Sequence, residues 1–526
     1  MEGPTNEFPS NTTTSNQNDN SIINQILSGN LTNDVQQLKI IFDKTFDVVY
    51  REIEIGGSKK GVLIFIDGLV NIELIDSDIL KPLLNYGKTA IQPENIQVGQ
   101  IQSFLQNQVI TTSNIKLGIN IQDVVECILS GDTVLLIDGE QQAISMNLRK
   151  FDKRNVEEPT VEPLIRGPRD GFTEDLRTNI SLIRRRLKTY KLKMENMKVG
   201  RLSKTDIVIT YLDGIVKDSL VEEVRQRISR IDIDAILESG YIEELIEDNS
   251  FSIFSQFGVT ERPDRLAAGL LEGHVGILVD NTPMALITPE TFVEMMEATE
   301  DYYGNYISAS FIRFIRYLFL GIALLLPSFY IALLTFHQVM VARPLLLSIA
   351  SSREGVPFPL FVESLLMEIF FEGLQEASTR LPRVAGQTVS IVGGLVIGQA
   401  AVQAGIVSAA TVIVVSITGI AIFIIPRFNL TPTIRMLRFF MIILSGALGL
   451  YGIFIGLLII LIHMVKLRSF GIPFLSPVTP LSLSIIKDTL VRAPWWAMIS
   501  RPEFMETKDS QRMKKTLRPR TPKRNK

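Results

Sequence analysis

TVSIVGGLVIGQAAVQAGIVSAATVIVVSITGIAIFII, residues 388–425, carries no formally charged side chain. It is about twice the ~20 residues that a bilayer-spanning helix needs, so it reads as two helices joined by a tight turn. Gly393, Gly394 and Gly398 inside the run suit lipid-embedded helices, where neighbouring helices satisfy freed backbone groups. Gly394, Gly398, Ala401 and Gly405 recur at helical spacing and form a small-residue ridge for close helix packing. Gln387, Gln399 and Gln403, on or beside the same stretch, would seek polar partners there.

Outward from this segment, Tyr317–Phe336 and Phe439–Val465 are also uncharged. Four spans fit, near 317–337, 388–404, 408–426 and 439–465. Between the first two lies FPLFVESLLMEIFFEGLQEASTR, Phe358–Arg380, an apolar helical pattern striped with carboxylates. At about 100° per residue Glu368, Glu372 and Glu376 form a drifting row, with Glu363 opposite. Glu376 and Arg380 are spaced for an i,i+4 ion pair. Ionisable groups among lipid-embedded helices face a bundle interior or a water-filled path, so this helix is a candidate pore lining. An amphipathic helix lying in the interface is the alternative.

The residues before this region are of a different kind. Val62–Ile66 is strand-like and ends in Asp67-Gly68-Leu69-Val70, and Ile207–Leu212 ends in Asp213-Gly214-Ile215-Val216. A second match follows at nearly the same offset: Gly131-Asp132-Thr133 then VLLID-Gly139, against Gly273-His274-Val275 then GILVD-Asn281. Both lead into a further strand, Ala143–Met146 and Met284–Ile287, and the Asp-Gly and Asp-Asn pairs are tight-turn signals. The expected fold class is therefore an α/β cytoplasmic domain made of two similar subdomains, followed by an all-α polytopic membrane domain. The division reads as a disordered polar start (1–30), a first subdomain (31–155), linker and helix (156–190) and a second subdomain (191–305). The membrane domain (312–470), a juxtamembrane segment (471–506) and a disordered basic tail (507–526) follow.

Between the halves, Arg166, Gly167, Pro168, Arg169 and Glu174 sit in a Gly-Pro linker and the start of a helix running toward Leu187, with Thr173 or Asp170 as its cap. They are candidates for a coupling hinge. The arginines there, with Arg177 and Arg184–Arg186, also read simply as solvated linker charge.

Charge and composition narrow the class. The net charge is −3, yet Thr507–Lys526 holds nine Lys or Arg and one Asp. Such a tail is attracted to the anionic cytoplasmic leaflet, and with that lipid at high local concentration no nucleic-acid partner is expected. Both termini are then expected on the cytoplasmic side. The polar first residues lack the features of a secretory signal. One cysteine, Cys127, excludes an intramolecular disulfide and a thiolate metal cluster, and its apolar flanks read as core. There is no Walker loop, no G-x-G-x-x-G, no G-x-S-x-G elbow and no paired-histidine metal motif, since His274, His337 and His463 are far apart. No enzyme, cofactor, catalytic residue or metal is expected.

Several motifs together resemble the A subunits of GerA-type spore germinant receptors: RGPRDGFTEDLRTNISLIRRRL (166–187), TERPDR (260–265), EGHVGILVDNTP (272–283), LPSFY (326–330), REGVPFP (353–359) and Glu363–Gly405. The likeness runs from about Leu31 to Pro502. It implies a multi-pass protein of the inner membrane of bacterial endospores, acting with a transporter-like B subunit and a lipoprotein C subunit. It further implies sensing of nutrients such as amino acids, sugars or nucleosides, and self-association into a gated cation channel. A secondary transporter or a non-conducting scaffold are the competing classes.

Overall fold

Val62–Ile66 forms the end of a long hairpin, β1 (Val48–Ile55) against β2 (Lys59–Ile66). The hairpin extends through β4 (Thr133–Ile137) and β5 (Ala143–Met146) to β3 (Ile115–Gly118), giving an antiparallel sheet in the order β1-β2-β4-β5-β3. The second half repeats it. Strands β6 (Leu192–Val199), β7 (Thr205–Leu212), β8 (Gly258–Thr260), β9 (Val275–Val279) and β10 (Ala285–Thr288) pair antiparallel in the order β6-β7-β9-β10-β8. These are features of a computed structural model that describes residues 23–55, 59–85, 115–150, 158–159, 161–380, 398–479, 488–514 and 517–519.

Both sheets are buried on two faces, which explains their near-continuous apolar strands. Leu63, Phe65, Leu135 and Ile137 enter one core, whereas Val62, Ile64, Ile66, Val134 and Leu136 enter the other, the period-2 division of a pleated strand. Helices α1 (Leu31–Ile41) and α2 (Ile121–Leu129) cover the second of these faces, and Cys127 is packed at its edge. Gly139 (φ 86°) and Asn281 (φ 67°) make the equivalent left-handed turn in the two halves.

The linker helix α3 (Leu176–Arg186) joins the halves. Its cap is Asp175, whose carboxylate accepts from the Thr178 amide at 2.8 Å, and not Thr173 or Asp170. Thr173 instead donates its amide to Asn179 Oδ1 at 2.7 Å, and Asp170 is taken by Arg186 at 2.6 Å. Leu176, Ile180 and Ile183 pack beneath the second sheet, while buried Arg184 reaches Asp47 of the first with two 2.8 Å bonds. Helices α4 (Asp218–Ser229), α5 (Ser239–Ile246), α6 (Pro263–Glu272) and α7 (Phe292–Met295) complete the second half.

The helical region comprises α8 (Tyr306–Thr335), α9 (Arg343–Ser352), α10 (Leu360–Arg380), α11 (Gly398–Gln403), α12 (Ala409–Ile422), α13 (Leu430–Leu448) and α14 (Leu450–Lys466). Two described helices, Tyr306–Thr335 and Leu430–Leu448, are long and apolar enough to cross a membrane, and α12 and α14 are shorter apolar helices. The first begins well before 317 because Asn305 caps it, accepting from the Ile307 amide. The expected span at 439–465 is not one helix: Gly449 (φ 63°, ψ −139°) breaks it, and α13 and α14 pack side by side. A β-branched or bulky residue could not take that conformation, so the glycine converts one long apolar run into a helical hairpin. The span expected near 408–426 is α12, capped by Ser408, whereas most of 388–404 lies outside the described residues.

Phe254, Met295 and Met296 of the second half share a core with Ala323, Ile422 and Leu437 of the helices. The basic tail is not wholly disordered. Lys508 donates its amide to Ile215 O at 3.0 Å and its ammonium to Asp218 at 2.6 Å, and Arg501 holds the carbonyls of Asp509 and Gln511 at 2.8 Å. Buried Met505 anchors the chain just before it in the second core. These apolar and carbonyl contacts outweigh the tail's self-repulsion over its first residues.

Candidate functional site

Helix α10 brings three of the four carboxylates expected from spacing into the bundle, where each meets an arginine, and leaves Glu376 on its exposed side. Glu363 is fully buried; one oxygen accepts from the Ser408 amide (2.6 Å) and hydroxyl (2.7 Å), the other meets Arg353 Nε at 3.2 Å. It sits at the N-terminus of α12, where the helix dipole favours an anion. Glu368, also fully buried, faces Arg438 at 3.1 Å, and Glu372 bonds both Arg435 and Arg438. Glu376 is exposed and forms the expected i,i+4 pair with Arg380 at 2.6 Å.

The Glu368–Arg438 pair is poorly satisfied. Neither oxygen of Glu368 and neither Nε nor Nη1 of Arg438 has a hydrogen-bond partner, although both side chains are wholly enclosed. Buried ion pairs recover their desolvation cost only with good geometry and further hydrogen bonds, so this one is a weak point in the bundle. The exposed side of α10 carries Val362, Ile369, Phe370 and Glu376. Of the small-residue ridge, Gly398 is buried beside Val412 and Ala401 packs in a cluster with Met367 and Val415. Gly405 turns the chain after α11 (φ 66°) against Gly355 O. Gln387 and Gly394 lie outside the described residues.

A second polar cluster ties the α/β domain to these helices. Asp301 accepts from Arg313 at 2.9 Å and from Arg316 at 2.6 and 2.8 Å, all three side chains being buried. Burial alone would raise Asp301, but the two guanidinium groups hold it below the usual carboxylate range. Tyr302 places its hydroxyl 2.8 Å from Glu297 and 3.0 Å from Asp488. Burial pushes Glu297 well above its ordinary value and Asp488 up to about 6, against the opposing charge of Arg313. Glu162 bonds Thr260 (2.5 Å) and Arg427 (3.0 Å) and lies 3.4 Å from Arg265; burial opposes its charge, and the two arginines outweigh it and lower it.

Nearby, His274 sits 3.2 Å from Glu294 and 2.7 Å from the Pro289 carbonyl. Burial disfavours the imidazolium, but Glu294 outweighs it and pushes His274 up to about 9. Glu272 completes a trio of possible metal ligands that histidine spacing does not reveal, since only one of the three is a histidine.

The hinge candidates divide. Gly167 packs on the Tyr303 ring and Pro168 O accepts from Arg262 at 2.7 Å, whereas Arg166 is exposed and Arg169 only approaches Glu158 at 4.0 Å. Exposed Glu174 contributes its carbonyl, which accepts from the Asn281 amide at 2.9 Å. The linker's firm anchor is Glu162, which spacing did not single out. Arg313 with Arg316, and Arg435 with Arg438, were likewise missed; arginine pairs at i,i+3 beside apolar runs were the available signal.

Comparison with known proteins supplies the family. The model of the Bacillus/Clostridium GerA spore germination protein matches residues 36–504. This chain belongs to the GerA family. Among its relatives is spore germination protein KA of Bacillus subtilis (strain 168), 43% identical over 94% of this chain and 90% of that protein. Spore germination protein GerLA of Bacillus cereus is 39% identical, with 94% and 98% covered. The uncharacterized membrane protein YfkQ of Bacillus subtilis (strain 168) is 46% identical over 90% of this chain and 91% of that one. The crystal structure of the N-terminal domain of the A subunit of the Bacillus megaterium spore germinant receptor GerK3 is similar over 51% of this GerA chain and 98% of that domain, with 33% identity and a TM-score of 0.40. The GerA resemblance read from the sequence motifs is thus borne out.

Proposed function

We propose that this GerA-family chain is a non-enzymatic membrane subunit of a nutrient receptor that triggers spore germination, and that it oligomerises into a nutrient-gated cation channel. In this reading it sits in the inner membrane of endospores with both termini cytoplasmic, alongside transporter-like B and lipoprotein C subunits, and its basic tail meets anionic lipid. The observation that carries the channel reading is the buried charge of α10: Glu363 and Glu368 are wholly enclosed among apolar helices, and Glu368 is left without hydrogen bonds. Ionisable groups among lipid-embedded helices face a bundle interior or a water-filled path and commonly mark ion pathways, which supports the channel reading. Glu376 lies on the exposed side of α10, the side free to line an axial path between copies. The coupling route runs from the 166–174 hinge and Glu162 through Arg427 to the helices.

A second reading, a non-conducting scaffold, is favoured by one fact: Glu372 is already neutralised by Arg435 and Arg438. Spores whose only nutrient receptor contains this chain separate the two. Channel function predicts that Glu376→Gln and Glu368→Gln alter cation release during germination while receptor abundance is unchanged. Normal release from both variants would leave the scaffold. Arg166→Ala with Arg169→Ala should weaken the nutrient response without loss of assembly, and an unaltered response would remove those two arginines from the hinge.

A further inference from the structure

Three metal-ligating side chains converge at the rim of the cavity between the second sheet and the juxtamembrane segment. Glu272 ends α6, Gly273 reverses the chain at φ 99°, and His274 follows directly. Glu294 comes from the first turn of α7. One ligand atom from each of Glu272, His274 and Glu294 lies within 4.8 Å of the others.

The surrounding hydrogen bonds determine what each group presents. The Pro289 carbonyl, 2.7 Å from His274 Nδ1, can only accept, so Nδ1 carries a proton and donates it. Glu294 has one oxygen held by the Thr291 amide at 2.8 Å and hydroxyl at 2.9 Å, which turns the other toward the ring. On a neutral ring Nε2 is a lone pair, and it faces a carboxylate oxygen 3.2 Å away. Acceptor against acceptor requires a positive occupant, either a proton on Nε2 or a metal ion shared by both. Histidines that bind metal through one nitrogen commonly donate the other N–H to a backbone carbonyl, the arrangement found here. One imidazole and two carboxylates, lining a cavity of about 160 Å³ together with Glu290 and Glu297, make a three-ligand set with room for water in the fourth position.

We infer that Glu272, His274 and Glu294 bind a transition-metal dication of the zinc class at the joint between the second subdomain and the juxtamembrane segment. Arg512 of the basic tail bonds an oxygen of Glu272, so the metal and this arm of the tail compete for one carboxylate. Metal occupancy then weakens the tail's grip on α6.

The test is Zn²⁺ binding by the full chain, purified without a polyhistidine tag and stripped with chelator, followed by calorimetry and by the visible absorption of Co²⁺ in its place. The expected result is about one ion per chain with a nitrogen–oxygen ligand field, and affinity at least ~tenfold weaker in His274→Gln and Glu294→Gln. Arg512→Ala, which touches no core contact of the sheet, should bind Zn²⁺ more tightly than the native chain. Absence of stoichiometric uptake by the native, folded chain would overturn the proposal and assign a proton to Nε2. Uptake undiminished by His274→Gln would overturn it equally, and if the ligand variants fail to fold, unchanged affinity in Arg512→Ala refutes the competition.

Discussion

The two α/β subdomains share a strand order, β1-β2-β4-β5-β3 against β6-β7-β9-β10-β8, but the loop entering the central strand serves different ends in each. In the first, Ser130-Gly131-Asp132 leads into β4, and Asp132 closes on Arg149 at 2.8 Å in a partly exposed pair. In the second, Glu272-Gly273-His274 leads into β9 and faces Glu294, within a field of buried charge that continues through Arg265 and Glu162 to Arg427 of the helical region. The backbone needs only the glycine, left-handed in both copies (φ 88° and 99°). The flanking residues are free to differ, and they decide which copy grips the helices. The sheet is the same in the two halves while the loops differ.

The most damaging way to sharpen that contrast is to remove Asp301. Asp301→Ala strands Arg316 in a buried site and leaves Arg313 with only Asp488 and Glu297, and should cost about 3–5 kcal/mol, read as a large fall in the melting temperature of the full chain. Asp132→Ala in the first copy should cost only about 1–2 kcal/mol, because Arg149 can turn to solvent. Equal losses would break the comparison. Arg427→Ala ranks next: it detaches the linker from the helices while Glu162 keeps Arg265 and Thr260, so protease cleavage near residues 158–169 should accelerate. Cleavage at the native rate would mean that the anchor is not Glu162–Arg427.

Smaller effects probe the repeat itself. Gly139→Ala should destabilise by about 1 kcal/mol, since its turn is left-handed, whereas Asn281→Gly at the equivalent turn should change stability by only a few tenths. A reversed ranking would deny that the turns are equivalent. The smallest effect is a pH slope found in the second copy. Burial, with Glu243 and Glu244 adding to it, pushes Glu247 up to about 7. A carboxyl raised on folding favours the native state fully at low pH and loses that contribution as pH climbs from about 4.5 through 7. Glu247→Gln should therefore flatten the decline in melting temperature over that range, and an unchanged slope would place its origin elsewhere.

Much of the sheet architecture was legible because alternating apolar strands and Asp-Gly turns are local signals. The helical region was less so. Residues 439–465 read as one span, and only the positive φ of Gly449 shows that this glycine separates α13 from α14. The cap of α3 fell two or more residues from its expected place because Thr173 and Asp170 are consumed by Asn179 and Arg186. The row Glu368, Glu372 and Glu376 and the Glu376–Arg380 pair followed from helical periodicity, but Arg435 and Arg438, the partners of Glu368 and Glu372, come from a helix far along the chain, a pairing that spacing does not encode. His274 was isolated among histidines, and its neighbours are carboxylates brought in by α6 and α7.

On the proposed channel function the helices, and α10 above all, carry ions while the α/β repeat controls them. Cation flux through liposomes containing the full chain with its partner subunits and nutrient tests it most directly, comparing native protein with Glu368→Gln, Glu372→Gln and Glu376→Gln combined. Nutrient-dependent flux is expected in the native complex, and altered cation selectivity or gating in the variant. Native-like flux and selectivity in the assembled variant would contradict the channel function.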